Sequence, residues 1–317
     1  MKVLLLDRNH PLLENGLKSI GFIVDADYDS PKEIILKSIE HYDGIVIRSR
    51  FPLNADFLFA AKKLKFICRI GAGLENIDLE TAEARGIKTF HAPEGNRDSV
   101  AEHTVGMLLM LLHRLRIADN EVRNGIWRRE ENRGDELMGK TVGIVGYGNM
   151  GKAFAKRLKG FGVEVICYDI LEGKGDENAR QTDWDEFSEI AEVISLHTPQ
   201  TPLTLGLVNK SWIDSMKHPF YFINTARGKS VVTADLVDAL KSGKIKGAAL
   251  DVHEFEKSSF ENPDCSNWPA DFRYLAASDK VILTPHIAGW TFQSKRKLAE
   301  VILSKVENWK KMHNIAK

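Results

Sequence analysis

TVGIVGYGNMG, residues 141–151, carries an apolar, β-prone run directly into a turn with glycine at 146, 148 and 151. Val142, Ile144 and Val145 suit a strand buried on both faces of a parallel sheet. Gly146 permits a tight turn and Gly148 leaves room for a pyrophosphate. Gly151 lets the following helix, with Ala153, Phe154, Ala155 and Leu158, lie close on the sheet. The first N–H groups of that helix would face the anion. A second strand, Val163 to Tyr168, ends at Asp169, at the spacing beyond the glycines expected of a carboxylate that bonds an adenosine ribose. Together these features predict a βαβ dinucleotide site. A βαβ unit without a ligand is the plainer alternative.

Working outward, 317 residues suffice for two domains of roughly 150 residues, each with its own core. Lysine plus arginine number 44 and aspartate plus glutamate 44, so no charge excess points to nucleic acid or an anionic membrane as a partner. The opening MKVLLLD is too short for a signal-peptide core and reads as a first strand. The apolar run Val105 to Leu112 ends at His113 and is too short to span a bilayer. Cys68, Cys167 and Cys265 are isolated, odd in number and without metal spacing. Reduced thiols in the cytoplasm, and no metal, are the expectation.

Residues 1 to 95 alternate strand and helix signals, with strands at Val3 to Leu6, Phe22 to Val24, Gly44 to Ile47 and Phe66 to Ile70, as in a small parallel α/β unit. Ligands gather beyond the carboxyl ends of such strands, which places Arg48, Ser49 and the Gly71-Ala72-Gly73 turn on one rim. Those glycines either hold an anion with backbone N–H groups or simply permit a turn. A helix is expected from Asp98 or Ser99 to about Asn120, with Ser99 and Glu102 as a capping box. It is apolar around nearly its whole circumference, so it must be buried, either by spanning two domains or, as the favoured reading, against a second subunit. After Asp169, strands recur at Val193 to His197, Phe220 to Asn224, Ala248 to Val252 and Val281 to Thr284. With the two around the glycine turn they make the six of a complete dinucleotide-binding sheet. Residues 257–275 read as a long loop, and Gln293 to Met312 as an amphipathic helix.

Three segments set a polar group just beyond a strand: Asn224-Thr225-Ala226-Arg227-Gly228, Asp251-Val252-His253-Glu254-Phe255-Glu256 and Thr284-Pro285-His286-Ile287-Ala288-Gly289. With the glycine turn, and in this order, they resemble the NAD-dependent D-2-hydroxyacid dehydrogenase family over essentially the full length. That family includes phosphoglycerate, hydroxypyruvate and glyoxylate enzymes, and the chain looks most like its short phosphoglycerate dehydrogenases. The resemblance implies that Arg227 holds the substrate's carboxylate and carbonyl, work suited to a planar, permanently charged fork. His286 would be the acid/base, a group titrating near neutrality. Glu256 would pair with it, with Glu254 as the second choice.

By the same resemblance Gly146, Gly148, Asn149, Met150, Gly151, Asp169, Thr198, Pro199, Thr225, Ala226, Arg227, Asp251, His286 and Gly289 form the NAD site. Arg48, Ser49, Gly71, Ala72, Gly73, Asn76, Arg227 and His286 would meet the substrate, and Arg48 could serve a phosphate on it. Asp169 favours NAD over NADP, because its carboxylate would repel a 2′-phosphate and Ile170 offers no compensating charge. The implied α/β architecture is two Rossmann-like or flavodoxin-like domains. An NAD-binding domain, 97–290, is inserted into a discontinuous substrate domain, 1–96 plus 291–317, and the two crossings form a hinge. No C-terminal regulatory domain is expected, and the protein is expected to be a homodimer. The implied activity is hydride transfer between NAD and a D-2-hydroxy acid/2-oxo acid pair, foremost 3-phosphoglycerate in serine biosynthesis, otherwise hydroxypyruvate or glyoxylate. An NAD(H)-gated binding protein of corepressor type is the alternative.

Overall fold

The computed structural model describes residues 1–256 and 267–313. The chain divides into two compact units, one holding Met1–Asn96 and the chain from Trp290 onward, the other holding Arg97–Glu256 and the chain up to Gly289.

The first unit runs β1 (Lys2–Leu5), α1 (Pro11–Ser19), β2 (Ile23–Ala26), α2 (Lys32–Leu36), β3 (Gly44–Ile47), α3 (Ala55–Ala60), β4 (Phe66–Arg69), α4 (Leu79–Ala84) and β5 (Lys88–Phe90). Its strands are all parallel in the order β2-β1-β3-β4-β5, a flavodoxin-like arrangement whose strand order reverses between β1 and β3. Alternation along β1 feeds two layers. Val3 and Leu5 point to a face completed by Leu298, Ile302, Val306 and Trp309, and Leu4 and Leu6 to a face with Phe57, Ile45 and Ile67. The Trp309 ring centre lies 5.2 Å from that of Phe66, the rings tilted by 55°, so the last helix, α12 (Phe292–Met312), closes this core. The structure also includes β5, a three-residue strand without a clear period-two signal.

The second unit follows with α5 (Pro93–Leu112), which begins in the first unit, α6 (Leu115–Arg123), β6 (Thr141–Val145), α7 (Asn149–Leu158), β7 (Glu164–Tyr168), β8 (Arg180–Gln181), α8 (Trp184–Ile190) and β9 (Val193–Leu196). It continues with α9 (Lys210–Ser215), β10 (Phe220–Asn224), α10 (Thr233–Ser242), β11 (Ile245–Leu250), α11 (Ala270–Ala277) and β12 (Val281–Leu283). The sheet is parallel in the order β12-β11-β10-β9-β6-β7-β8, so the strand order reverses between β6 and β9, where such folds receive their ligands. Among the described residues it holds seven strands rather than six, because the two-residue edge strand β8 pairs with β7.

Three local expectations need correction. The long helix starts at Pro93, where proline suits a first turn, and Ser99 and Glu102 form no capping box: the Ser99 hydroxyl donates to the Ala288 carbonyl and Glu102 pairs with Arg157. The helix also stops early. The Leu112 carbonyl accepts the Asp135 N–H at 3.0 Å, and Arg114, with φ 54°, swings the chain into α6. Of the loop expected over 257–275, residues 257–266 lie outside the described residues, as does Cys265, while α11 begins at Ala270.

Candidate active site

The glycine turn is built by three different constraints. Gly146 has φ +88°, and a Cβ there would come within 2.9 Å of the His197 backbone. A Cβ at Gly151 would sit 2.4 Å from the Gly146 carbonyl, so only glycine lets α7 approach β6. At Gly148 a Cβ would meet nothing within 4 Å, so the fold's own packing makes no demand for glycine there. The room it leaves opens at the N-terminus of α7, where no side chain caps the first-turn amides of Asn149, Met150 and Gly151.

Asp169, at the end of β7, accepts the Tyr147 N–H at 2.8 Å and the Leu171 N–H at 3.0 Å. The ribose candidate thus also braces the turn, and Ile170 beside it is 75% exposed. At the end of β9, Thr198 Oγ1 is buried without a hydrogen-bond partner among the described residues, at the reversal point of the sheet. His197 below it is buried against Phe154, and burial pushes its pKa down to about 3. Open space at Gly148, a helix N-terminus without a side-chain cap and the Thr198 hydroxyl fit a dinucleotide diphosphate.

The turn after β10 is held by Asn224, whose side chain accepts the Ala226 N–H and donates to the Arg227 carbonyl. Thr225 shares a 3.1 Å hydroxyl contact with Thr104 of α5. Arg227 is in extended backbone with φ −140°, and its Nη1 donates to the Ala226 carbonyl at 2.7 Å.

His286 Nδ1 lies 2.8 Å from Glu256 Oε2, with both side chains about one-quarter exposed. Glu254 is elsewhere: its carboxylate accepts the Thr233 N–H at the start of α10. His286 has φ +56°, a left-handed conformation that a β-carbon disfavours. Asp251, 1% exposed, anchors this turn. Its Oδ1 accepts the Ile287 N–H at 2.9 Å and the Thr284 hydroxyl, and its Oδ2 accepts the Ala288 N–H at 2.8 Å. A residue expected in the NAD site therefore also holds the segment that carries His286 and ends at Gly289.

In the first unit Arg48 and Ser49 follow β3 at the reversal point. The Arg48 N–H donates to Asp7 at 2.6 Å and its guanidinium lies 4.1 Å from the Trp290 ring centre. Burial pulls the Arg48 guanidinium below its ordinary pKa, and the Asp7 carboxylate opposes that shift. Asn76 donates to the Arg48 carbonyl at 3.3 Å, and His91 Nδ1 contacts the Ala72 carbonyl at 2.7 Å. Gly71 has φ +156°, a backbone conformation that L side chains rarely adopt, and the Arg69 guanidinium folds over the place a Cβ would take; Gly73 follows two residues later. Arg69, Trp290, His103 and His253 were not singled out from sequence as site neighbours; an arginine ending a buried strand was the available signal for the first.

Residues 105–288 match the family model described as D-isomer specific 2-hydroxyacid dehydrogenase, NAD binding domain. The chain is 35% identical to D-3-phosphoglycerate dehydrogenase of Archaeoglobus fulgidus, over 98% of this chain and 58% of that protein. It is 34% identical to hydroxypyruvate reductase of Thermotoga maritima, over 87% of each. Among solved structures, D-lactate dehydrogenase of Aquifex aeolicus, complexed with NAD and lactic acid, superposes with a TM-score of 0.81 at 32% identity, covering 98% of this chain and 96% of that one. The chain belongs to the D-isomer specific 2-hydroxyacid dehydrogenase family, whose members are NAD-dependent oxidoreductases. Its second unit contains that family's NAD-binding domain, and it spans little more than half of the Archaeoglobus relative.

Proposed function

We propose that this protein oxidises a D-2-hydroxy acid, or reduces the matching 2-oxo acid, with 3-phosphoglycerate as the leading substrate and hydroxypyruvate or glyoxylate next. The observation that carries the reading is the Glu256–His286 contact of 2.8 Å on the unit that bears the glycine turn. Bound at the end of β6, NAD supplies the acceptor for a hydride. The chain supplies the rest. Arg227 offers a fork for the carboxylate and carbonyl oxygens of the acid. Glu256 takes up Nδ1 of His286, so the proton of the reacting hydroxyl moves to and from Nε2, and the carboxylate stabilises the imidazolium that results. Asp169 bonds the adenosine ribose, the α7 amides with Asn149 and Met150 meet the diphosphate, and Thr198, Pro199, Thr225, Ala226 and Gly289 border the cofactor. Arg48, Ser49, Gly71, Ala72, Gly73 and Asn76 serve the substrate. The similarity to phosphoglycerate and hydroxypyruvate enzymes supports this order of substrates and a place in serine biosynthesis.

We further propose a cytoplasmic homodimer. Leu115, Val122, Ile126 and Trp127, on and just after α6, are 51%, 55%, 38% and 77% exposed, an apolar group that a second subunit would cover. The test of function is turnover: NADH consumption with hydroxypyruvate, glyoxylate and pyruvate, and NAD reduction with 3-phosphoglycerate, which should give the highest kcat/KM. A protein that binds NADH but turns over none of them would be an NAD(H)-gated binding protein instead.

A further inference from the structure

Thr284 stands two residues before His286, and both of its oxygens are engaged by imidazoles. Its hydroxyl has one proton, and with Asp251 Oδ1 2.5 Å away that proton is donated to the carboxylate. His103 Nε2, on α5, lies 3.1 Å from the same hydroxyl oxygen, so the imidazole must be the donor and carry its proton on Nε2. The Thr284 carbonyl can only accept. His253 Nε2 lies 3.2 Å from it, so His253 is also protonated at Nε2, while its Nδ1 is buried without a hydrogen-bond partner among the described residues. Burial pushes the His253 pKa down, against the pull of Glu256, which keeps the ring neutral. His103 Nε2 also comes within 3.5 Å of Asp251 Oδ1, so it helps to satisfy a carboxylate that is 1% exposed.

We propose that His103 and His253 are positioning residues for His286, acting through Thr284. A histidine at φ +56° persists only where its surroundings over-determine the backbone. Asp251 fixes the turn after His286 through the Ile287 and Ala288 amides. The two imidazoles fix it before His286, one from α5 and one from the segment after β11. The inference rests on His286 being the proton-transfer group of the proposed reaction.

The test begins with His103→Leu, which removes the donor, and His103→Gln, which keeps one at similar reach. With the best 2-oxo acid and NADH, His103→Leu should lower kcat tenfold or more while KM and the NADH dissociation constant stay within twofold, and His103→Gln should recover to within threefold of the parent. A kcat for His103→Leu within twofold of the parent, or a glutamine variant as impaired as the leucine one, would overturn the proposal. Nitrogen NMR of the unaltered protein decides it even if the leucine variant does not fold: an unprotonated Nε2 on His103 or His253 overturns the clamp. An inactive parent would strike the reading of His286 and this inference together, whereas an active parent with an active leucine variant strikes the inference alone.

Discussion

Glu256 Oε2 and His286 Nδ1 are 2.8 Å apart, and the two residues reach each other from the separate segments that follow β11 and β12. The contact selects one glutamate of two. Glu254, two positions earlier, faces away and bonds the first amide of α10, while a return bond from the Glu256 N–H to the His253 carbonyl at 3.1 Å sets the other in place. His286→Gln should lower turnover by about a thousandfold, within the range for loss of a general acid/base, with NADH affinity by fluorescence nearly unchanged. Glu256→Gln should cost less, about 1–3 kcal/mol in kcat/KM, as for a charged hydrogen bond. Retention of most of the activity by His286→Gln would remove it from the mechanism.

Gly148 and Gly151 should separate binding from folding. A Cβ at Gly148 meets nothing within 4 Å, whereas one at Gly151 meets the Gly146 carbonyl at 2.4 Å. Gly148→Ala should therefore melt close to the parent temperature yet bind NADH at least tenfold more weakly. Gly151→Ala should lose about 1–3 kcal/mol of stability by overpacking, read by denaturant unfolding. Equal stability losses in the two variants would contradict the geometry.

Asp169→Ala should weaken NAD and narrow its advantage over NADP if, as proposed, the carboxylate bonds the adenosine ribose, where it would also repel a 2′-phosphate. The variant also loses the acceptor for the Tyr147 amide, so a modest drop in melting temperature should accompany the change in cofactor ratio. An unchanged NAD/NADP ratio of kcat/KM would restrict Asp169 to its bond with the turn.

The acid limb of stability has an identifiable contributor in Asp176. Burial raises its pKa, but hydrogen bonds from the Tyr147 hydroxyl at 2.7 Å, the Asn178 N–H at 2.9 Å and Lys152 at 3.0 Å outweigh burial and hold the carboxyl well below its ordinary range. A depressed folded-state pKa gives stability that is fully present above the unfolded value of about 3.9 and is lost as pH falls below it. Asp176→Asn should lower stability at pH 7 and flatten its fall between about pH 5 and pH 2. A parallel displacement of the whole curve would argue against this ionisation.

Much of this was legible in the sequence because it depends on short-range signals. The run from Val142 to Val145 alternates between two cores, and Gly146 and Gly151 answer steric conflicts within the turn that follows it. The break in the long helix was not legible, because it depends on the Asp135 amide reaching the Leu112 carbonyl from a distant loop. Nor was β8, where two residues pair at a sheet edge without any hydrophobic period. Asp251 shows the limit at the site itself. Its position after a strand marked it as polar and near the chemistry, but its engagement by three donors of the 284–288 turn is a tertiary fact. The choice between Glu254 and Glu256 turned in the same way on α10, whose first amide claims one of them.

The docking of α12 has a consequence for biosynthesis. Leu298, Ile302, Val306 and Trp309 cover the face of the first sheet formed by Val3, Leu5, Phe66 and Cys68, yet that sheet's last strand ends at Phe90. The second unit has its final strand by Leu283, so on the ribosome it can be complete before the first one is. At about 5–20 residues per second, the chain between Phe90 and Trp309 takes roughly ten to forty seconds to emerge. Throughout that interval the first sheet of the nascent chain carries an uncovered apolar face. Self-association and chaperone capture of this protein should therefore centre on its amino-terminal sheet, and truncation just before α12 should yield a well-folded second unit attached to an aggregation-prone first.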